Sequence, residues 1–169
     1  MSHRKSKIPR LALLTFSHIV CLTVGFAAGI YILPILIAPE SPSLTVIEDS
    51  QKTTRFQGQF SKDRKDSDKF HWGEGQFSIN KDSISFSGEL APGPDYKLYM
   101  SPVYVETEEA FNQHKAEMVR IGDVKTFDNF IIPMSSTVDP AQYNTVIIWC
   151  ETFGQFITSG QYQDSFKTH

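Results

Sequence analysis

Few residues in this 169-residue chain could do chemistry, and Cys150 comes first among them. It ends the run Tyr143-Asn144-Thr145-Val146-Ile147-Ile148-Trp149-Cys150. The other cysteine, Cys21, lies in a long apolar stretch near the amino terminus and packs there as a small apolar side chain. If that stretch is a membrane span, Cys150 is the only thiol beyond it, and no disulfide can form within the domain that carries it. Three readings stay open. The sulfur could be a covered core residue, a redox thiol or thiolate ligand, or half of an intermolecular disulfide. Glu151 is adjacent and no lysine or arginine lies in the run, so local sequence does not favour the thiolate. At an ordinary thiol pKa, about a few per cent is ionised near neutrality. A tertiary contact could alter this, and His71 is the histidine placed to supply one. His114 falls on an expected surface helix and His169 ends the chain. Trp149 and Tyr143 could line a cofactor pocket or relay an electron, or could simply pack.

Other chemistries lack their residues. The sequence has no Cys-x-x-Cys, no Cys-x-x-Cys-His for covalent haem, no glycine-rich phosphate loop and no His-Glu-x-x-His metal spacing. His18 has no second histidine in the apolar stretch with which to hold a membrane haem. From Pro39 onward twelve lysines and arginines face nineteen acidic residues, a balance of −7, so this part is acidic and offers phosphates no basic surface. Nucleic acid is not an expected partner.

The elements that position Cys150 read as short strands. Within its own run, Thr145, Ile147 and Trp149 point to one side and Val146, Ile148 and Cys150 to the other. Both sides are apolar or small, the pattern of a central strand covered on both faces. Upstream, Gln76–Ile79 and Ser83–Ser87 alternate around the turn Asn80-Lys81-Asp82, predicting a hairpin with Phe77, Ile79, Ile84 and Phe86 inward. Ala91-Pro92-Gly93-Pro94-Asp95 breaks the ladder before a strand over Tyr96–Met100. Thr107 can cap a short helix whose first turn holds Glu108 and Glu109. Strand pattern returns at Val119 and Ile121, at Phe130–Ile132 and at Phe156-Ile157 with Tyr162. About seven short strands and one small helix predict an all-β domain, an antiparallel sandwich or barrel. The alternating charges of Lys62–Lys69 read as a solvated loop.

Leu11 to Ala38 contains no Asp, Glu, Lys or Arg and is long enough for one membrane crossing of roughly 20 residues. Arg4, Lys5, Lys7 and Arg10 precede it and no basic cluster follows, so the amino terminus is expected in the cytoplasm and the rest outside the inner membrane, in a periplasm or beyond. A cleaved signal peptide is the competing reading. Gly25 and Gly29 form a small-xxx-small pair that could bring two such helices together as a homodimer. Pro34 marks a kink or a helix end. The expected organisation is a basic tail over 1–10, a transmembrane helix over 11–38, a linker over 39–55, a β domain over 56–163 and a tail over 164–169.

The exported part resembles the DM13 domain from about Phe56 to Tyr162. The resemblance rests on Phe70-His71 followed by Gly75, on Ser83 to Leu90, on Gly93-Pro94-Asp95-Tyr96 leading into Leu98-Tyr99-Met100, on Ile121-Gly122, and most specifically on Tyr143 with Val146-Ile147-Ile148-Trp149-Cys150. It implies an electron-transfer role that falls on Cys150, as a redox thiol or the ligand of a group such as haem. Beside the resemblance, Trp149, His71, Asp95 and Tyr143 are the candidate supporting residues and another redox protein is the candidate partner. The chain departs from the family pattern at Ser159-Gly160-Gln161, where a small residue such as alanine is usual. Val105–Glu117 is also longer and more helical than a plain connection. The other class of function to weigh is a ligand- or protein-binding module with an inert core thiol.

Overall fold

The computed structural model describes residues 8–164, so most of the basic tail and residues 165–169 lie outside it. The first element is the helix α1, Ile8–Ile37. Its window of mean hydropathy 2.3 makes it long and apolar enough to cross a membrane. Pro34 sits inside its last turns and is buried. Nothing lies within 4 Å of a Cβ added at Gly25 or Gly29.

Eight strands follow: β1 Phe56–Phe60, β2 Gly73–Ile79, β3 Ser83–Leu90, β4 Tyr96–Ser101, β5 Val119–Val124, β6 Phe130–Pro133, β7 Thr145–Cys150 and β8 Gln155–Gln161. They form two antiparallel four-stranded sheets, ordered β1-β2-β3-β6 and β5-β4-β7-β8. The all-β sandwich expected from the alternation is what the chain builds. Phe77, Ile79, Ile84 and Phe86 of the first sheet all turn inward and meet Leu98, Met100, Val146, Ile148 and Ile157 of the second. A one-residue slip in either sheet would move these side chains to the opposite face, so the burial pattern itself fixes register.

Strand β7 is interior to its sheet and buried at every position. Its inward face contributes Val146, Ile148 and Cys150 to the core between the sheets. Its outward face is covered by α3, Glu108–His114, through a second cluster of Tyr99, Val105, Phe111, Ile147, Trp149 and Phe156. Thr107 caps α3 by accepting from the Ala110 amide. This second cover explains the apolar residues on both faces of β7.

Two stretches differ from their sequence reading. Within the expected linker, Leu44–Gln51 is a helix, α2, which buries Ile47 and joins the hairpin through a hydrogen bond from Asn80 Nδ2 to the Ser50 carbonyl at 2.6 Å. The charged run Lys62–Lys69 is also more than a solvated loop. Arg64 Nε donates to the Ser159 carbonyl at 2.9 Å and Ser67 Oγ to the Ile157 carbonyl at 2.8 Å, covering the open edge of β8.

Candidate functional site

Cys150 is the last residue of β7 and lies opposite Tyr96 of β4 and Gln155 of β8. Alternation turns its side chain to the inter-sheet side, where it is 2% exposed. The chain then reverses through Glu151–Gly154, with Gly154 at φ 63°, a left-handed conformation that favours glycine. Asp95 ties this turn to the start of β4. Its carbonyl accepts from the Glu151 amide at 3.0 Å and its carboxylate from Thr152 Oγ1 at 3.0 Å. The Asp95 carboxylate also pairs with Lys97 at 2.6 Å, and the Lys97 hydrogen bond holds its carboxyl below the usual range.

Beside the sulfur is a pocket of about 90 Å³. Its lining includes His71, Phe70, Phe153, Pro94, Tyr96 and, from α1, Tyr31. The Tyr96 hydroxyl is committed to the Ala91 carbonyl at 2.8 Å, so the wall that Tyr96 offers is the ring, and burial pushes its phenol up. Burial likewise pushes the Cys150 thiol up, against the pull of the backbone amides of Phe153, Asp95 and Thr152. At neutral pH the site therefore holds a protonated thiol.

His71 is oriented by Asp68, whose two carboxylate oxygens lie 3.1 Å from His71 Nδ1. Asp68 also accepts from the amides of Phe70 at 2.6 Å and His71 at 2.8 Å. Burial opposes the charge of Asp68, but the His71 hydrogen bond and the two amides outweigh it and keep the carboxyl below its usual value. A carboxylate at Nδ1 fixes the proton there and leaves Nε2 as the basic nitrogen. Among the described residues no hydrogen bond joins His71 to Cys150, and both line the same pocket.

The structure thus brings together three of the residues singled out by sequence: Cys150, His71 and the backbone of Asp95. It does not bring Trp149 or Tyr143 to the pocket. Trp149 is on the opposite face of β7, stacked on Phe111 at 3.9 Å and 9°. Tyr143 precedes the other end of β7, roughly 20 Å along the strand at about 3.3 Å per residue. Sequence reasoning missed Asp68 and Phe153, and it named Phe70 and Tyr96 only in the resemblance and in a strand, not as site residues. The signal for Asp68 was the Asp-x-x-His spacing, set within charges that read as solvated surface.

A haem does not fit here. Sites for ligands of that class run to about 300 Å³ or more, and the space beside the sulfur is about 90 Å³. Among the described residues no three of His, Cys, Asp and Glu converge to hold a metal ion. The space suits a few water molecules or one small side chain.

Comparison with known proteins gives one match. The family model described as "Electron transfer DM13" matches residues 59–162, more than half of the chain and the whole site except its α1 wall. No curated protein and no solved structure matches.

Proposed function

The chain belongs to the DM13 family of electron-transfer domains, and from that premise we propose that its redox group is the Cys150 thiol, held outside a membrane by α1. The observation that carries this reading is the shared pocket: a lone sulfur on one wall and an Asp68-oriented histidine on another. His71 Nε2 is the base available to take the thiol proton, so a thiol that burial keeps neutral can still react when a partner enters. The step is thiol–disulfide exchange. The Cys150 sulfur attacks one sulfur of a partner disulfide, the partner S–S bond breaks, and the departing thiolate takes the proton that His71 received. Cys150 becomes half of a mixed disulfide, one partner sulfur is released as a thiol, and a second thiol reverses the process. The pocket of about 90 Å³ has room for one small thiol-bearing group beside the sulfur.

The burial of Cys150 favours the second reading, a binding module with an inert thiol. Hydroxyethyl disulfide, a small neutral reagent, separates the two. In full-length protein carrying Cys21→Ser, the expected result is a mixed disulfide at Cys150 in the folded state, detected by intact mass, with the rate reduced about a hundredfold in His71→Asn. Modification only after denaturation would sink the redox reading and leave the binding module.

A further inference from the structure

Among the described residues, the chain from β1 onward leaves only three large apolar side chains exposed: Phe70, Tyr104 and Phe153. Phe70 and Phe153 are far apart in sequence, yet they line one pocket together with Ile30 and Tyr31 of α1. Both belong to the end of the sandwich where β2 and β8 begin and β3 and β7 finish. Tyr104 follows β4 at the other end. Two exposed phenylalanines together at one end, beside an apolar helix, call for a specific cover.

Burial along α1 indicates what that cover is. From Leu11 to Ala27 every residue is exposed, whereas Ala28, Ile30, Pro34 and Ala38 are half-buried or buried. The face of α1 that meets the domain therefore begins near Ile30. A hydrocarbon core takes about 20 residues at about 1.5 Å each, and counted from Leu11, the first residue after Arg10, it ends at Ile30. Tyr31 then falls at the outer boundary, the level that tyrosine favours. Phe70 and Phe153 stand beside it.

We infer that the β domain docks on the outer surface of the bilayer that α1 crosses, with Tyr31, Phe70 and Phe153 as a collar in the headgroup layer, so that the Cys150 pocket opens at the membrane–water interface. This rests on α1 being the membrane anchor proposed above. Whatever reacts with Cys150 then approaches from the headgroup layer and not from bulk water. The domain is acidic overall, so contact depends on aromatic insertion and needs no anionic lipid.

The test uses the full chain with Trp72→Phe and Trp149→Phe, adding a single reporter as Phe70→Trp, Phe153→Trp or Tyr104→Trp. Each is placed in phosphatidylcholine vesicles whose acyl chains carry bromine just below the headgroup, and tryptophan quenching is read. If circular dichroism shows that the double replacement disturbs the sheets, the same reporters are read in the native background as the increment over the unaltered chain. The expected result is quenching at positions 70 and 153 at least about twofold stronger than at 104, in protein that alkaline carbonate does not extract. Equal quenching at all three positions in carbonate-resistant protein would overturn the docking while leaving the anchor intact. Extraction by carbonate would overturn the anchor, and the docking with it.

Discussion

At the Cys150 sulfur burial holds the proton on, and in the proposed reading His71, which lines the same pocket, takes it off. This fixes a pH signature. A thiol raised in the folded state contributes stability that is fully present below the unfolded thiol value, about pH 8.5, and is lost as pH rises through the folded value. Stability should therefore begin to fall above about pH 8.5 in the native chain, before the tyrosines titrate. Cys150→Ala should remove this first part of the decline, while the later part remains because burial also raises Tyr96, Tyr99 and Tyr162. Urea midpoints between pH 7 and 10 check it, and an identical slope in both proteins would contradict the raised thiol. The orientation of His71 carries a separate prediction. Asp68→Asn leaves the two backbone amides facing an amide oxygen but removes the carboxylate that fixes the tautomer, so exchange at Cys150 should slow by about tenfold or more with little change in fold. Sequence made Cys150 and His71 visible as residue types. It could not show that they share a pocket, because 79 positions separate them and the strands next to them belong to different sheets: Cys150 ends β7 opposite Tyr96 of β4, and His71 precedes β2.

Among the elements, legibility followed how much of each pattern was apolar. The β2–β3 hairpin and β7 were readable because alternation or a continuous apolar run survives in single sequence. Strand β1 was not, since Phe56-Gln57-Gly58-Gln59-Phe60 has glycine where an inward side chain belongs. The structure gives the reason: a Cβ at Gly58 would lie 2.3 Å from the Phe77 ring, which fills that place itself. Helix α2 was hidden by the prolines before it and by having one buried apolar residue, Ile47. That residue is nonetheless 1% exposed, so truncation should be costly. Ile47→Ala is expected to lose about 2 to 5 kcal/mol, read as a lower urea midpoint of the sheet signal. An effect within about 0.5 kcal/mol, as at a surface site, would mean that the segment is a loose tether after all. Gly160 tests closure between the sheets, because a Cβ there would lie 2.5 Å from the Gln59 carbonyl and from Phe77. Gly160→Ala should therefore destabilise by about 1 to 3 kcal/mol, because β1 passes directly over this glycine.

For the molecule as a whole, the proposed anchoring by α1 implies a side of the membrane for the site. The fold is indifferent to this; the charge distribution is not. Four basic residues lie within the first ten, none lies between Leu11 and Gln51, and the folded domain carries a balance of −7. A basic flank resists translocation whereas a distant acidic domain does not, so the predicted orientation puts Cys150 outside, where thiol–disulfide chemistry has partners. An alkaline phosphatase fused after residue 169 should be active in cells, since that reporter needs export to form its disulfides. Replacing Arg4, Lys5, Lys7 and Arg10 with Asn while inserting lysines after Glu40 should lower that activity by inverting a share of the chains. Unchanged activity would mean that the folded domain, and not the flanking charge, sets the direction. An inactive native fusion would place Cys150 in a reducing compartment. There a lone thiol needs no redox role to remain unpaired, and the inert-core reading would regain its ground.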